Sequence, residues 1–431
     1  MPAWLCAIIM VQGCLPPDSE GVTLNVQMRF VGERMTETEH GRHTESWLRH
    51  VHGLAVDIGP RGSTTDGERR GAEYCQSVLE QSGLQGHLEV FESARSIYLP
   101  HLLAAAMMLV AFVVYPLAGR VSAGFAAFVV LVSLTSELME LSFRDNIFRW
   151  VVPKAPSQNV VATVEPADER RQDLVLVGHM DTHRTPLVFK SQRWVSVYQT
   201  FTTVAFVLFL LQAILYLVGT VTQWDWIWPA SIPSAVCAVL LLAMCIQADR
   251  TPFNVGANDN ATGAGLVLAL ADHLKAEPLQ HTRVWLVCSG CEEVQHYGAI
   301  DFFRRHRADF HRPVAVVLES LGCAGPAWLT QEGIVVPFHA DKDLVDLAEE
   351  LSAENPEWGA YPAEIKGGNT EMADALRAGI PAITFMGIGP NGETPYWHQV
   401  GDTYDKMDAE VMGRAYAFIW AYVRALDTKV G

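Results

Sequence analysis

Several apolar runs in this chain end on residues that bind divalent ions. Leu174 to Val177 leads into Gly178-His179-Met180-Asp181, Val284 to Cys288 into Ser289-Gly290-Cys291-Glu292-Glu293, and Val314 to Leu318 into Glu319. The loop Gly256-Ala257-Asn258-Asp259-Asn260-Ala261-Thr262 precedes a helical pattern starting near Gly263, and Tyr396-Trp397-His398 with Asp402 precedes the last one. Imidazole and carboxylate are ordinary zinc ligands, and one carboxylate can bridge two ions about 3.5–4 Å apart. Two histidines, a bridging carboxylate and two terminal carboxylates suit two such ions. His179 and Asp181 stand two apart, so on an extended strand end they lean to the same side. Asp181 can then accept from the imidazole N–H and fix its tautomer. Each piece alone is commonplace: a histidine after a strand is usually structural, and a Glu-Glu pair is usually a solvated surface. Recurrence at five successive element ends carries the signal. Cys288 and Cys291 form a C-x-x-C inside this set; with no second pair, they read as small apolar residues at a strand end.

The elements that must position these groups alternate. Ala72 to Ser82 has the pattern of an amphipathic helix, and His87 to Phe91 and Asn159 to Val164 read as strands. Leu174–Val177, Val284–Cys288, Pro313–Leu318 and Ala382–Met386 are short all-apolar runs, the mark of buried strands. Helical patterns cover Gly263–Leu274, Leu344–Ser352, Thr370–Ala378 and Ala409–Leu426. Strands separated by helices predict an α/β fold, a three-layer α/β/α sandwich around a mixed, largely parallel sheet. In such sheets ligands bind beyond the carboxyl ends of the strands, where the histidines and carboxylates collect.

Composition adds a second feature. Half of the 431 residues are hydrophobic and 18% are charged, against about 25% in an ordinary soluble domain. The formal charge of −17 argues against a nucleic-acid partner, which needs a basic face. The apolar excess is pooled in Tyr98–Gly119, Val121–Ser136, Trp194–Trp224 and Trp226–Ala248. About 20 apolar residues span a bilayer, so these runs predict two transmembrane helical hairpins, four helices in all. Arg95, Arg144, Arg149, Lys154, Lys190, Arg193 and Arg250 flank one side and Arg120 the other, while Trp224, Trp226 and Trp228 crowd one tip. The positive-inside rule and the interfacial preference of tryptophan predict tips outside and the remainder in the cytoplasm, a multi-pass cell-membrane protein. The first 34 residues lack a basic segment before Arg29, unlike a secretory signal, and read as a disordered leader.

In this order, the Gly178–Asp181 segment, the Gly256–Gly263 loop, Glu292-Glu293, Glu319 and His398-x-x-x-Asp402 resemble the co-catalytic zinc aminopeptidases of metallopeptidase family 28, the aminopeptidase Y and glutamate carboxypeptidase II type. Gly368-Asn369-Thr370-Glu371 and Gly379-Ile380-Pro381 resemble its late portion. The resemblance spans Thr44 to Leu426 apart from the hairpins. It implies that His179 and Glu319 hold one Zn2+, Glu293 and His398 a second, and that Asp259 bridges them, with another divalent metal as the alternative. Asp181 would orient His179, and Glu292 would be the general base acting on a peptide substrate. Two features depart from the family: Glu319 stands where Asp is commoner, and the hairpins are absent from its simple secreted members. The domains expected are thus a leader (1–34), a discontinuous zinc-peptidase domain (35–97, 143–193 and 249–431), and transmembrane hairpins at 98–142 and 194–248. A membrane-anchored aminopeptidase is the leading expectation. A carboxypeptidase or dipeptidase, a glutaminyl cyclase-like enzyme (usually working with one zinc) and a non-catalytic membrane scaffold are the alternatives.

Overall fold

A computed structural model describes residues 37–431; the expected leader lies outside the described residues. Nine strands form one sheet among these residues: β1 (His87–Ala94), β2 (Lys154–Val164), β3 (Gln172–His179), β4 (Thr282–Ser289), β5 (Pro313–Glu319), β6 (Ala327–Glu332), β7 (Phe338–His339), β8 (Tyr361–Glu364) and β9 (Ala382–Met386). The order is β1-β2-β4-β3-β5-β9-β6-β7, with β8 also paired to β6. The centre, β4-β3-β5-β9, is parallel. The margins are mostly antiparallel: β1 with β2, β2 with β4, and β6 with β9 and β7. The sheet is therefore mixed, less parallel than the sequence suggests, because the edge strands lack the all-apolar signature of the central four.

Alternation along the central strands serves both faces. Val175, Val177, Trp285, Val287 and Val317 pack with Phe302, Phe303 and Met372, from helices Tyr297–Arg305 and Met372–Arg377. Helix Thr262–Ala276 packs on β3, β4 and β5, and itself carries helix Glu37–His52. Gly178 makes that approach possible: a Cβ there would lie 2.4 Å from the Gly263 carbonyl carbon, and one on Gly263 would lie 2.2 Å from Leu318 O. Close backbone passage at the β3 exit and the helix start thus requires glycine on both sides.

The apolar runs form helices Tyr98–Val114, Gly119–Glu140, Gln192–Thr222 and Ile232–Asp249. They pack as a bundle, seamed by small residues such as Ala111, Ala123, Ala126, Ala127, Ala205, Ala213 and Ala238, with Tyr115 stacked on Tyr216. Small residues let such backbones approach closely. The outer surface is apolar: Val113, Phe125, Phe128, Val207, Ile214 and Val236 are all exposed. Among the described residues, three helices are long and apolar enough to cross a membrane, Gly119–Glu140, Arg193–Thr222 and Ile232–Asp249. Tyr98–Val114 is shorter than expected. Its 17 residues give about 26 Å at 1.5 Å per residue, because the chain turns at Tyr115-Pro116 before the uncharged run ends. His101 and Glu137 pair at 2.7 Å between the first two helices.

Candidate metal centre

The parallel strands deliver their carboxyl ends to one place. His179 closes β3, Glu319 closes β5, and the turn after β4 presents Glu292 and Glu293. His179 Nε2 lies 3.4 Å from Asp259 Oδ1, 3.4 Å from Glu319 Oε2 and 3.7 Å from Glu292 Oε2. His398 Nε2 lies 3.1 Å from Glu293 Oε2 and 3.5 Å from Asp259 Oδ2. All seven residues singled out from the sequence fall in this one neighbourhood, and the two oxygens of Asp259 face different histidines.

Asp181 does more than the sequence suggests. The shorter contact of His179 Nδ1 is to the Asp181 backbone carbonyl at 3.2 Å, with the carboxylate at 3.5 Å. That carboxylate accepts from Ser63 Oγ at 2.6 Å and from the backbone N–H groups of Glu292 and Glu293 at 3.1 and 3.2 Å. It fixes the loop that carries the two glutamates. Asp402 acts likewise on the Asp259 loop, accepting from the N–H groups of Asn258 at 2.7 Å and Asp259 at 3.0 Å. Asn260 donates to Glu319 Oε2 at 3.0 Å and to Leu318 O at 2.9 Å.

Four groups outside the sequence reading complete the setting. Arg61 is fully buried and donates to the carbonyls of Leu54, Gly59, Met180, Val255 and Gly256 at 2.7–3.0 Å. It ties the loops before His179's partners to the Asp259 loop. Glu68 accepts from the N–H groups of Thr64 and Cys291 and from Ser157 Oγ at 2.7–2.9 Å, which holds the turn leading to Glu292. Cys288 and Cys291 are buried free thiols, in keeping with a structural part. His183 stacks on His398, ring centroids 3.6 Å apart, and His296 lies behind Glu292. Only the Gly-Pro-Arg-Gly turn and the repeated His around Asp181 hint at any of these in the sequence.

The donors fit a divalent cation. His183, Glu293 and His398 present ligand atoms within 4.8 Å of one another, and so do His179, Asp259 and Glu319. Asp259 Oδ2 and Glu293 Oε1 are buried without a hydrogen-bond partner, a costly state for carboxylate oxygens. Burial pushes Glu319 up to about 7 and Glu293 well above the usual carboxylate range. Burial also holds His398 down to about 4 and His183 well below its ordinary value, keeping these two imidazoles in their ligand form, whereas against its burial the facing carboxylates push His179 well above its ordinary value.

A mixed α/β sheet with buried histidines and carboxylates at its carboxyl ends defines the class, an α/β fold that carries a candidate divalent-metal centre. Residues 241–423 match the model of peptidase family M28. Among solved structures the chain resembles Porphyromonas gingivalis glutaminyl cyclase at a TM-score of 0.53 and 14% identity, over 89% of this chain and 98% of that one. It also resembles a zinc aminopeptidase from Bacillus subtilis (0.54, 12%, 89% and 95%). A leucine aminopeptidase precursor from Bacteroides thetaiotaomicron gives 0.51 and 13%, over 88% and 96%. At these identities the likeness establishes the fold alone. No curated protein matches the chain by sequence.

Proposed function

We propose that the chain is a membrane-anchored di-zinc aminopeptidase. The observation that carries this reading is the division of Asp259: Oδ1 faces His179, which pairs with Glu319, and Oδ2 faces His398, which pairs with Glu293. In this reading His179 and Glu319 would hold one Zn2+, Glu293 and His398 the other, and Asp259 would be shared between them. Bound zinc would supply a water of lowered pKa and a polarised carbonyl. Glu292 would serve as the general base, taking a proton from the water nucleophile and returning it to the leaving amine. Its Oε2 is directed at the cluster and its Oε1 is held by His296 at 3.0 Å. Asp181 and Asp402 hold the two ligand loops in register.

The charge of the site favours an amino-terminal substrate. Among the described residues, the ion-pair partners of Asp259, Glu292, Glu293 and Glu319 are histidines throughout. A carboxylate-rich site without Lys or Arg pairing suits a substrate ammonium better than a substrate carboxylate. The apolar outer surface of the helix bundle supports membrane anchoring, since a patch of that extent seeks a partner phase. The lysine and arginine bias supports a cytoplasmic catalytic domain.

A second reading, glutaminyl cyclase-like acyl transfer, is favoured by the cyclase among the structural neighbours. One experiment separates the two. The purified protein is assayed for bound metal, for hydrolysis of an aminoacyl-amide panel and for cyclisation of N-terminal glutaminyl peptides, beside Glu292→Gln. The aminopeptidase reading expects two zinc ions, hydrolysis of unblocked substrates, and a loss of about 10²–10⁴-fold in the variant with metal retained. Two bound ions with no hydrolysis of any unblocked peptide would sink it, and cyclisation alone would install the second reading.

A further inference from the structure

Behind Glu292 stands a pair that neither the metal ligands nor the base itself require. Glu292 Oε1 lies 3.0 Å from His296 Nε2, and His296 Nδ1 lies 2.6 Å from Asp374 Oδ2. Both side chains of the pair are buried, 3% and 2% exposed. The second Asp374 oxygen takes Arg377 Nη1 at 3.4 Å. Arg377 also donates to the carbonyls of Ser142 and Phe143, and the Phe143 ring lies against His296 with centroids 4.5 Å apart. Three elements thus converge on one imidazole: the turn after β4, helix Met372–Arg377, and the chain leaving the first apolar hairpin.

The backbone adds an independent sign. His296 sits at φ +58°, ψ +32°, in the left-handed region, as the residue before helix Tyr297–Arg305. Glycine or asparagine would adopt that conformation at lower cost. A histidine held there is explained by what its ring reaches.

We infer that His296 and Asp374 are positioning residues that fix the Glu292 carboxylate, one oxygen engaged from behind and the other left facing the metal cluster. The inference rests on the reading of Glu292 as the general base. Its physical content is rotamer selection. A carboxylate tied at Oε1 presents Oε2 in one place, whereas an untied one must find that place in every turnover. Displacement of a reacting group by about 1 Å costs about a hundredfold in rate, and loss of an outer-shell partner typically costs about ten- to a hundredfold.

The test compares His296→Leu, His296→Gln and Asp374→Asn in the full-length protein. Bound metal, thermal midpoint, kcat and KM are measured on one aminoacyl-amide, and the Glu292 rotamer is read from a structure of His296→Leu. His296→Leu should lower kcat at least tenfold with KM within about twofold, metal content unchanged and Glu292 turned away. His296→Gln, whose amide N–H can still donate to Glu292 Oε1, should recover part of that loss, and Asp374→Asn should lose less than His296→Leu. An active wild type whose His296→Leu variant keeps kcat would overturn the pair. So would a His296→Leu defect that His296→Gln does not lessen, since shape alone would then explain it. If His296→Leu fails to fold, the decision falls to Asp374→Asn and His296→Gln: unchanged kcat in both overturns the pair. A wild type that binds zinc but is inactive on every substrate overturns the peptidase reading, and this inference with it.

Discussion

Asp402→Asn offers a test of how the Asp259 loop is held. Asp402 uses both oxygens at once: Oδ1 accepts from Asn258 N at 2.7 Å and Oδ2 from Asp259 N at 3.0 Å. A carboxamide has the same shape but one acceptor, so one buried backbone N–H would face an NH2 group. Losing a hydrogen bond to a charged group costs about 1.5–3 kcal/mol. At about 1.4 kcal/mol per tenfold, that amounts to about a ten- to hundredfold loss of zinc affinity if the strain is relieved by movement of Asp259. Burial, and then the Asp259 charge, push Asp402 up to about 7. In the metal-free protein Asp402 is therefore largely protonated at pH 6 and resembles the variant, and is ionised at pH 8 and does not. The affinity gap should widen on raising the pH from 6 to 8. Competition against a chromophoric chelator, with the protein in detergent, reads this without any need for turnover. Zinc affinity within twofold of wild type at pH 8 would refute the view that Asp402 pre-organises the Asp259 loop.

Arg61→Met should remove a donor from five carbonyl oxygens; Leu54 O and Gly256 O keep the N–H groups of Gly59 and Ala261, so the loss falls on Gly59 O, Met180 O and Val255 O. At about 1–3 kcal/mol each, the cost is a large part of a whole stability of about 5–15 kcal/mol. Little folded protein should be recovered, and a wild-type thermal midpoint would refute the assigned role. Glu332 is buried and is pushed up by that burial to about 8, against the donors at Thr370 N, Thr370 Oγ1 and Ala373 N. A raised folded value means that its contribution to stability is complete below about pH 4.5 and is lost as pH rises through about 8, at no more than about 1.4 kcal/mol per pH unit. Glu332→Gln should flatten the fall in thermal midpoint between pH 5 and pH 8, and coincident slopes would show that this group does not set it. Tags at Trp226 and Gly431 should label from opposite sides of the membrane, and labelling from one side would overturn the hairpin topology.

The seven candidate residues that the fold brings together were legible because each stands at the end of a strand or before the start of a helix. His179 and Glu319 terminate strands that are apolar throughout, and such strands in a parallel sheet leave their ends in one place. Groups that act through long-range contacts gave no such sign. Helix Glu37–His52 reads as polar, ETEHGRHTESWLRHVH, yet buries Trp47, whose indole donates to Thr262 O at 2.7 Å. Its worth depends on a partner more than 200 positions away. Arg61 in a turn is usually a solvated charge; here its five acceptors come from three separate segments, Leu54–Gly59, Met180 and Val255–Gly256. Strands β7 and β8 at this margin are short and partly exposed, and β6 between them and β9 mixes polar with apolar residues, so no uniform apolar run marks them. Asp181 was recognisable as a partner of the site, but which of its atoms meets His179 depends on the turn, and no pattern of residue types specifies a turn to that detail.

The second apolar insertion is tethered by 13 residues from Asp181 to Trp194 and 11 from Ala248 to Asp259, which fully extended reach at most roughly 40 Å. The fold is far tighter. Tyr98, the first residue of the first apolar helix, places its hydroxyl 3.2 Å from His183 Nε2. Phe189, just before the third, sets its ring edge-on to His398 and Trp397 at 4.9 and 5.0 Å. Phe143, leaving the second, covers His296. A tether that only anchored the enzyme would need none of these contacts, and a flexible linker would suffice. Ends that touch three of the four histidines around the centre make the helix bundle part of the wall that shapes it. Detergent or lipid conditions that loosen the bundle should then alter the site itself, and not merely where the enzyme resides.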